Sequence, residues 1–426
     1  MTQTFASLRY FNYRVWFSAA LVANIGTWMQ RVAQDWLVLT VLSDNSGLAV
    51  GIVTALQFLP SLLLSPIAGL TADRVDRRKL LMTTQGSMGV LALALGALVL
   101  SGHAQLWHVF GFAIALGVVS AFDAPVRQTF VAELVPSTSL PNAVGLNSAS
   151  FNAARLIGPG LAGLLIAAVG PGWAFLINGV SFGATIAAMF FMRRASFFPL
   201  PHAKQAKGQI REGVRYITGR TDLLVIIVVV GVVATFGLNF QLTSGVMARN
   251  EFGMGAGEYG ILGSILAIGS LGGALLAARR KQPRVRLVIG AALAFGIASG
   301  VMAIMPTYLT YAISCVPVGF FSLTMLTAAN ATIQTTTTPT MRGRVLSLYL
   351  MVMMGGTPIG SPLVGWIAEA WSPRWSIGVG AIITIVVSLA AVVWTRHRWS
   401  YRVAYERESR PRLQVQYDRE EPRTAA

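Results

Sequence analysis

The chain has 426 residues, 54% hydrophobic and 12% charged, with a net charge of +17 and a mean hydropathy of +0.62. Soluble domains carry roughly 25% charged residues, so the composition excludes a water-soluble globular fold. Apolar runs of about 20 residues recur from end to end and indicate a multi-spanning membrane protein.

In chain order, the apolar runs predict twelve spans at 14–41, 47–72, 80–101, 106–123, 143–169, 173–192, 223–247, 257–278, 287–305, 308–330, 345–369 and 375–395. Arg9 and Arg14 precede the first run, which has no small-residue cleavage site, so it is expected to stay as a span. With this layout, 29 of the 33 Lys and Arg fall on the side of the two termini. The opposite side holds Arg249 and Arg374, and only Arg31 and Arg155 lie inside spans. That asymmetry puts both termini in the cytoplasm and the chain in the cytoplasmic membrane. The basic excess is then topological, with some attraction of the tail to anionic lipid, and a nucleic-acid partner is not expected.

The first span reads "GTWMQRVAQDWLVLT" and carries two charges in an otherwise oily stretch. At 100° per residue, Asn24, Thr27, Arg31, Gln34 and Asp35 share an arc of about 100°, a polar stripe suited to a wet cavity. A charge at mid-helix costs roughly 2.5–3.5 kcal/mol on insertion scales. The i,i+4 spacing allows Arg31 and Asp35 to offset part of it as a pair, which is one reading of the stripe. In a second reading Asp35 is a proton carrier, because burial and a nearby cation act in opposite senses on a carboxylate and their balance changes as a cavity opens. Direct contact with substrate is a third.

After span 2 comes "GLTADRVDRRKL", with Gly69, Asp73, Arg74, Arg77 and Arg78: a basic turn whose acid can face a helix N-terminus or the neighbouring arginines. In span 5, "SFNAARLIGPGLAG" repeats small residues every fourth position at Ser150, Ala154, Gly158 and Ala162, a face for close helix packing. Pro159 removes a backbone donor and invites a bend. Arg155 lies beside that bend and requires a partner, either Asp35 or an anionic substrate group. Asn239, Gln241, Thr243, Thr327 and Asn330, in spans 7 and 10, are further candidates for a cavity wall.

Residues 193–222 form a polar linker with a potential amphipathic helix at its end. It separates an N-terminal unit, 1–192, from a C-terminal unit, 223–395, and the Arg-rich tail 396–426 is expected to be disordered. The two units echo each other weakly, "LIGPGLAGLL" against "GGTPIGSPLVG", which suggests a tandem six-plus-six arrangement with the site at the interface of the halves.

The string around Asp73 resembles the loop 2–3 signature of the major facilitator superfamily, GxLaDrxGrrxx, with Gly69, Asp73, Arg74, Arg77 and Arg78 matching and Asp76 replacing the second glycine. The resemblance implies an all-α fold of two six-helix bundles. It also implies a cytoplasmic charge latch of Asp73 and Arg77, with Asp123 at the end of span 4 as a partner. Gly158, Pro159 and Gly163 resemble the span-5 antiporter motif of exporters in that superfamily. Span 4 lacks the charged motif usual in its drug exporters. "DAPVRQTFVAELVP" is instead similar to the branch of enterobactin-type siderophore exporters and macrolide efflux proteins.

The combined expectation is a proton-coupled antiporter exporting a hydrophobic or amphipathic small molecule, as a monomer, with Asp35 and Arg31 in proton coupling. Alternatives are an importer or uniporter on the same scaffold, or a non-transporting receptor or scaffold. Four scattered histidines and one apolar-run cysteine give no metal-ligand spacing. No GxxxxGK[ST] loop is present, and no nucleophile–base constellation converges on one face. Neither a cofactor nor enzymatic activity is expected.

Overall fold

The computed structural model describes residues 3–198, 209–278, 284–399, 401–405 and 413–417; the side chains of a few helix residues, Asp73 among them, lie outside that description. Eleven helices among the described residues are long and apolar enough to cross a membrane. α1 (Phe11–Leu37), extended by a π turn at Val38–Leu42, is equally long, and its polar stripe is what lowers its hydropathy. With it the twelve expected spans are present.

The first half comprises α1, α2 (Gly47–Arg74), α3 (Arg77–Leu100), α4 (Leu106–Glu133), α5 (Leu140–Val169) and α6 (Pro171–Phe191). α1 packs on α5 and α6, α3 on α4 and α6, and α2 on α4. A short amphipathic helix, α7 (Gln209–Thr218), lies within the 193–222 linker and packs against the second half, where Glu212 pairs with Arg344 at 2.6 Å. That half comprises α8 (Thr221–Phe236), α9 (Phe240–Val246), α10 (Ala256–Ala278), α11 (Val285–Ala303), α12 (Tyr308–Thr336), α13 (Pro339–Ala370) and α14 (Pro373–Trp399).

Two spans depart from the sequence expectation. Span 4 continues past 123 to Glu133, because Asp123 and Arg127 satisfy one another inside the helix, although Pro125 removes a backbone donor there. Span 7 is broken into α8 and α9. At the break the Asn239 Nδ2 donates to the Thr235 carbonyl at 2.7 Å, while its Oδ1 accepts from Ser361 Oγ at 2.8 Å. The side chain thus satisfies a carbonyl left without its helical partner, which is how a membrane protein tolerates irregular backbone beside a cavity. In the tail, expected to lack structure, β1 (Tyr401–Tyr405) and β2 (Leu413–Tyr417) pair antiparallel with Val403 opposite Val415. The second segment, LQVQY, alternates polar and apolar residues with the period of a strand.

The halves meet through α2 with α13 and α5 with α10. At the outer ends Ser46 Oγ donates to Glu369 at 2.7 Å, and Arg249 and Asn250 donate to the side chain and carbonyl of Asn45 at 3.2 and 2.9 Å. Below them the backbones nearly touch: a Cβ on Gly51 would sit 2.3 Å from the Ser361 carbonyl oxygen, and one on Gly260 2.3 Å from that of Pro159. Glycine is required at such approaches. Toward the cytoplasm the charged groups pair within their own halves instead, Arg77 with Glu133 and Arg220 with Asp222. At their outer ends, then, the two halves are joined by hydrogen bonds and close backbone approaches.

Candidate functional site

Between the halves lies a cavity of about 200 Å³, walled by α1, α2 and α5 on one side and by the α8–α9 break, α10 and α13 on the other. α1 contributes Trp28, Arg31, Val32 and Asp35, whose spacing of three and four residues puts them on one helix face. α5 contributes Arg155 and Pro159, α2 Thr54, Gln57 and Phe58. The broken span contributes Leu238 through Leu242, and α10 and α13 add Tyr259, Gly263, Leu266, Thr357 and Ser361.

Asp35 is 8% exposed and forms no ion pair with Arg31, despite the i,i+4 spacing that suggested one. Its hydrogen-bond partner comes from the opposite half: the Tyr259 hydroxyl lies 3.3 Å from Asp35 Oδ2. The same hydroxyl lies 3.2 Å from the Gln241 carbonyl of its own half, and a single O–H serves one acceptor at a time. Stacking on Trp36, with ring centroids 5.8 Å apart, holds the Tyr259 ring in place. Arg31 turns instead to aromatic faces, 5.1 Å from the Trp28 centroid and 5.6 Å from that of Phe58. Arg155 lies 5.9 Å from the same Trp28 ring. The predicted Arg155–Asp35 pair is likewise absent from the ion pairs among the described residues.

Of the predicted cavity residues, Arg31, Asp35, Arg155, Asn239 and Gln241 line this space. Gln34 reaches it indirectly, donating to Gln57 at 3.3 Å. Asn24 is drawn away to Arg127, 3.4 Å distant, and the hydroxyl of Thr27 turns back on the Ala23 carbonyl. Thr243 lines a separate, smaller cavity, Thr327 bonds to carbonyls of its own helix, and Asn330 pairs with Gln334 one turn on. A helical arc locates a face at best, and it cannot say where along the bundle axis the two halves part. Trp28, Phe58 and Tyr259 escaped the sequence reading because aromatic residues in apolar spans look like core.

The loop after α2 is wired differently from the expected latch. Asp76, in place of the second glycine, caps α3 by accepting from Lys79 N–H at 3.0 Å. Arg77 pairs with Glu133 rather than Asp123, and Arg78 donates to the Met189 carbonyl. Arg74 is exposed and a Cβ on Gly69 would meet nothing within 4 Å, while the Asp73 side chain lies outside the described residues. Asp123 is fully buried and accepts from Thr84, Gln85 and both Nε and Nη2 of Arg127. Thr185 on α6 completes that cluster by donating to Gln85 at 2.9 Å.

The span-5 motif packs both ways. A Cβ on Gly158 would press on Trp28 of α1 at 2.6 Å, and one on Gly163 on the Ala256 carbonyl of α10 at the same distance. The small face therefore seats α1, and the Gly–Pro turn seats the other half against α5.

Residues 2–421 match the model of a family described as transmembrane secretion effectors. The chain is similar to a staphyloferrin A transporter of Staphylococcus aureus, 24% identical over 88% of this chain and 94% of that protein. It is also similar to the multidrug efflux pump Tap of Mycolicibacterium fortuitum, 28% identical over 83% and 88%. The enterobactin exporter EntS of Escherichia coli is 24% identical over 78% and 80%. Among solved structures, a bacterial homologue of the human lysosomal transporter Spinster, inward-facing and unoccupied, superposes with a TM-score of 0.70 at 16% identity, covering 91% of this chain and 97% of that one.

Proposed function

Because the chain belongs to the transmembrane secretion effector family of the major facilitator superfamily, we propose that this multi-pass membrane transporter is a proton-coupled antiporter. It exports a hydrophobic or amphipathic small molecule by alternating access of residues 1–192 and 223–395. The observation that carries the reading is the Asp35–Tyr259 contact, a carboxylate in the cavity wall whose hydrogen-bond donor sits on the opposite half. When Asp35 is ionised, Tyr259 donates to it and ties α1 to α10. When Asp35 takes up a proton it becomes a weaker acceptor, and Tyr259 can give its O–H to the Gln241 carbonyl 3.2 Å away. One proton thereby decides whether a cross-half bond exists, which is a differential interaction with two states.

A substrate group that donates to ionised Asp35 competes with the proton, and competition at one carboxylate gives exchange. The apolar part of the substrate would rest on Phe58, Phe240 and Leu266, with Gln57 and Asn239 as polar contacts. The relatives named as an efflux pump and an exporter support the outward direction. In this reading the loop of Gly69, Asp73, Arg74, Arg77 and Arg78 gates the cytoplasmic side, residues 193–222 link the moving bodies, and the monomer is the working unit.

The test uses inside-out vesicles carrying the native protein, its Asp35→Asn variant or neither, with a panel of dyes, antibiotics and siderophores. Compound uptake that requires an acidic lumen and disappears in Asp35→Asn is the expected result. Uptake with unchanged dependence on the pH gradient in that variant would sink the proton-carrier role.

A further inference from the structure

Arg31 and Arg155 come from helices that are remote in sequence, line the same cavity, and converge on one indole ring, that of Trp28. Neither appears in an ion pair, and Arg31 Nε is buried with no hydrogen-bond partner. Among the described lining residues the one carboxylate, Asp35, is engaged by Tyr259. That described lining therefore holds two guanidinium groups and one carboxylate, a cationic excess in a small, partly apolar space.

The geometry explains both how this excess is tolerated and what it is fit for. A guanidinium stacks on an aromatic ring through its face. Stacking leaves its in-plane N–H edge free, and that edge matches the spacing of two oxygens on a carboxylate, sulfonate or phosphate. Trp28 packs against α5, with the Phe151 ring edge-on at 5.8 Å between centroids and Gly158 close to its Cβ. Both guanidiniums lie at cation–π distance from this ring, and among the described residues neither spends its donors on an ion pair. A buried cation without an ion-pair partner is costly; the aromatic contacts offset part of that cost, and an entering anion would offset more.

We propose that Arg31, Arg155 and Trp28 form an anion-recognition subsite, so that the transported molecule is an amphipathic anion. Its oxyanion sits between the two guanidiniums and its apolar body lies toward Phe58 and Phe240. The inference rests on this cavity being the substrate site, but it does not rest on proton coupling or on direction.

The probes are anilinonaphthalene sulfonate, an amphipathic anion, and N-phenylnaphthylamine, which has the same aromatic skeleton and no charge. Binding of each is titrated by fluorescence to the full chain in nanodiscs of phosphatidylcholine, with empty nanodiscs as blank. Saturable sulfonate binding to the native protein is expected, with affinity falling about tenfold or more in Arg31→Gln and in Arg155→Gln. Affinity for the neutral probe should change less than about twofold, which also certifies the fold of each variant. Arg155→Lys keeps the charge without the planar fork and should fall in between. Should a Gln variant fail to fold, the native protein's preference for the sulfonate over the neutral probe decides. Absence of saturable sulfonate binding, equal affinity for the two probes, or a sulfonate affinity indifferent to both arginines overturns the proposal. Loss of pH dependence tested at Asp35 leaves these outcomes untouched, so the two readings fail separately.

Discussion

Among the described residues of the N-terminal half, two carboxylates are buried, each with an arginine four residues away, and they are treated in opposite ways. Asp123, followed by Arg127, accepts four hydrogen bonds from α3 and its own helix, and Arg127 goes on to Asn24 of α1. Asp35, preceded by Arg31, accepts one bond, and that comes from the other half. Chain direction accounts for part of the difference. Helical side chains lean toward the N-terminus, so a long arginine placed after the acid reaches back to it, whereas one placed before it leans away; acid-before-base is the better order in isolated helices too. Packing accounts for the rest. Thr84 and Gln85 surround Asp123, while Trp28 and Phe58 capture Arg31. The lesson is that a satisfied buried charge holds a bundle together, while an under-satisfied one beside a cavity is free to respond to what enters.

The comparison is broken most directly by Asp35→Asn. Gradient-driven transport should fall to the level of vesicles without the protein, with the unfolding temperature unchanged or raised; a loss of folded protein in proportion to the loss of transport would place Asp35 with Asp123. The converse holds for Asp123→Asn, which weakens the bond to Arg127 and leaves Thr84 and Gln85 with a poorer acceptor. Its expected cost is roughly 1–3 kcal/mol, read as a lowered unfolding temperature, with transport per folded molecule nearly intact. The arginines sharpen the point. Arg127→Gln should lower the unfolding temperature, since a buried carboxylate loses its cation, at about 1–2 kcal/mol because Arg127 is partly exposed. Arg31→Gln, which removes a cation without an ion pair, should not lower it. The smallest effect is expected for Tyr259→Phe, which deletes one hydrogen bond worth about 0.5–1.5 kcal/mol. Transport should slow severalfold with its pH dependence displaced, measured beside the native protein across a pH series; an unaltered pH profile would detach Tyr259 from Asp35.

Much of the architecture was legible in the chain itself. Hydropathy marked the spans, and the placement of 29 of 33 basic residues oriented them. The polar stripe of α1 was visible as a stripe, and Asp35, Arg31 and Arg155 were visible as charges with no business in hydrocarbon. The spacing of Ser150, Ala154, Gly158 and Ala162 announced a packing face that the fold uses against α1. The break in span 7 left a weaker trace, the Gly237–Leu238–Asn239 string, which reads as an ordinary apolar span until Asn239 is seen bonding to Thr235.

Composition and period thus determined which segments cross the membrane, in which direction, and which of their faces are polar, because these depend on single residues in a known solvent. Only the tertiary structure decided who partners whom. Asp35 took Tyr259 from the opposite half, Arg77 took Glu133 rather than Asp123, and Arg31 and Arg155 met on one indole. Pairings of this kind depend on the depth and rotation of helices far apart in the chain. Those quantities are set by the summed packing of small residues along whole interfaces, which no local spacing encodes.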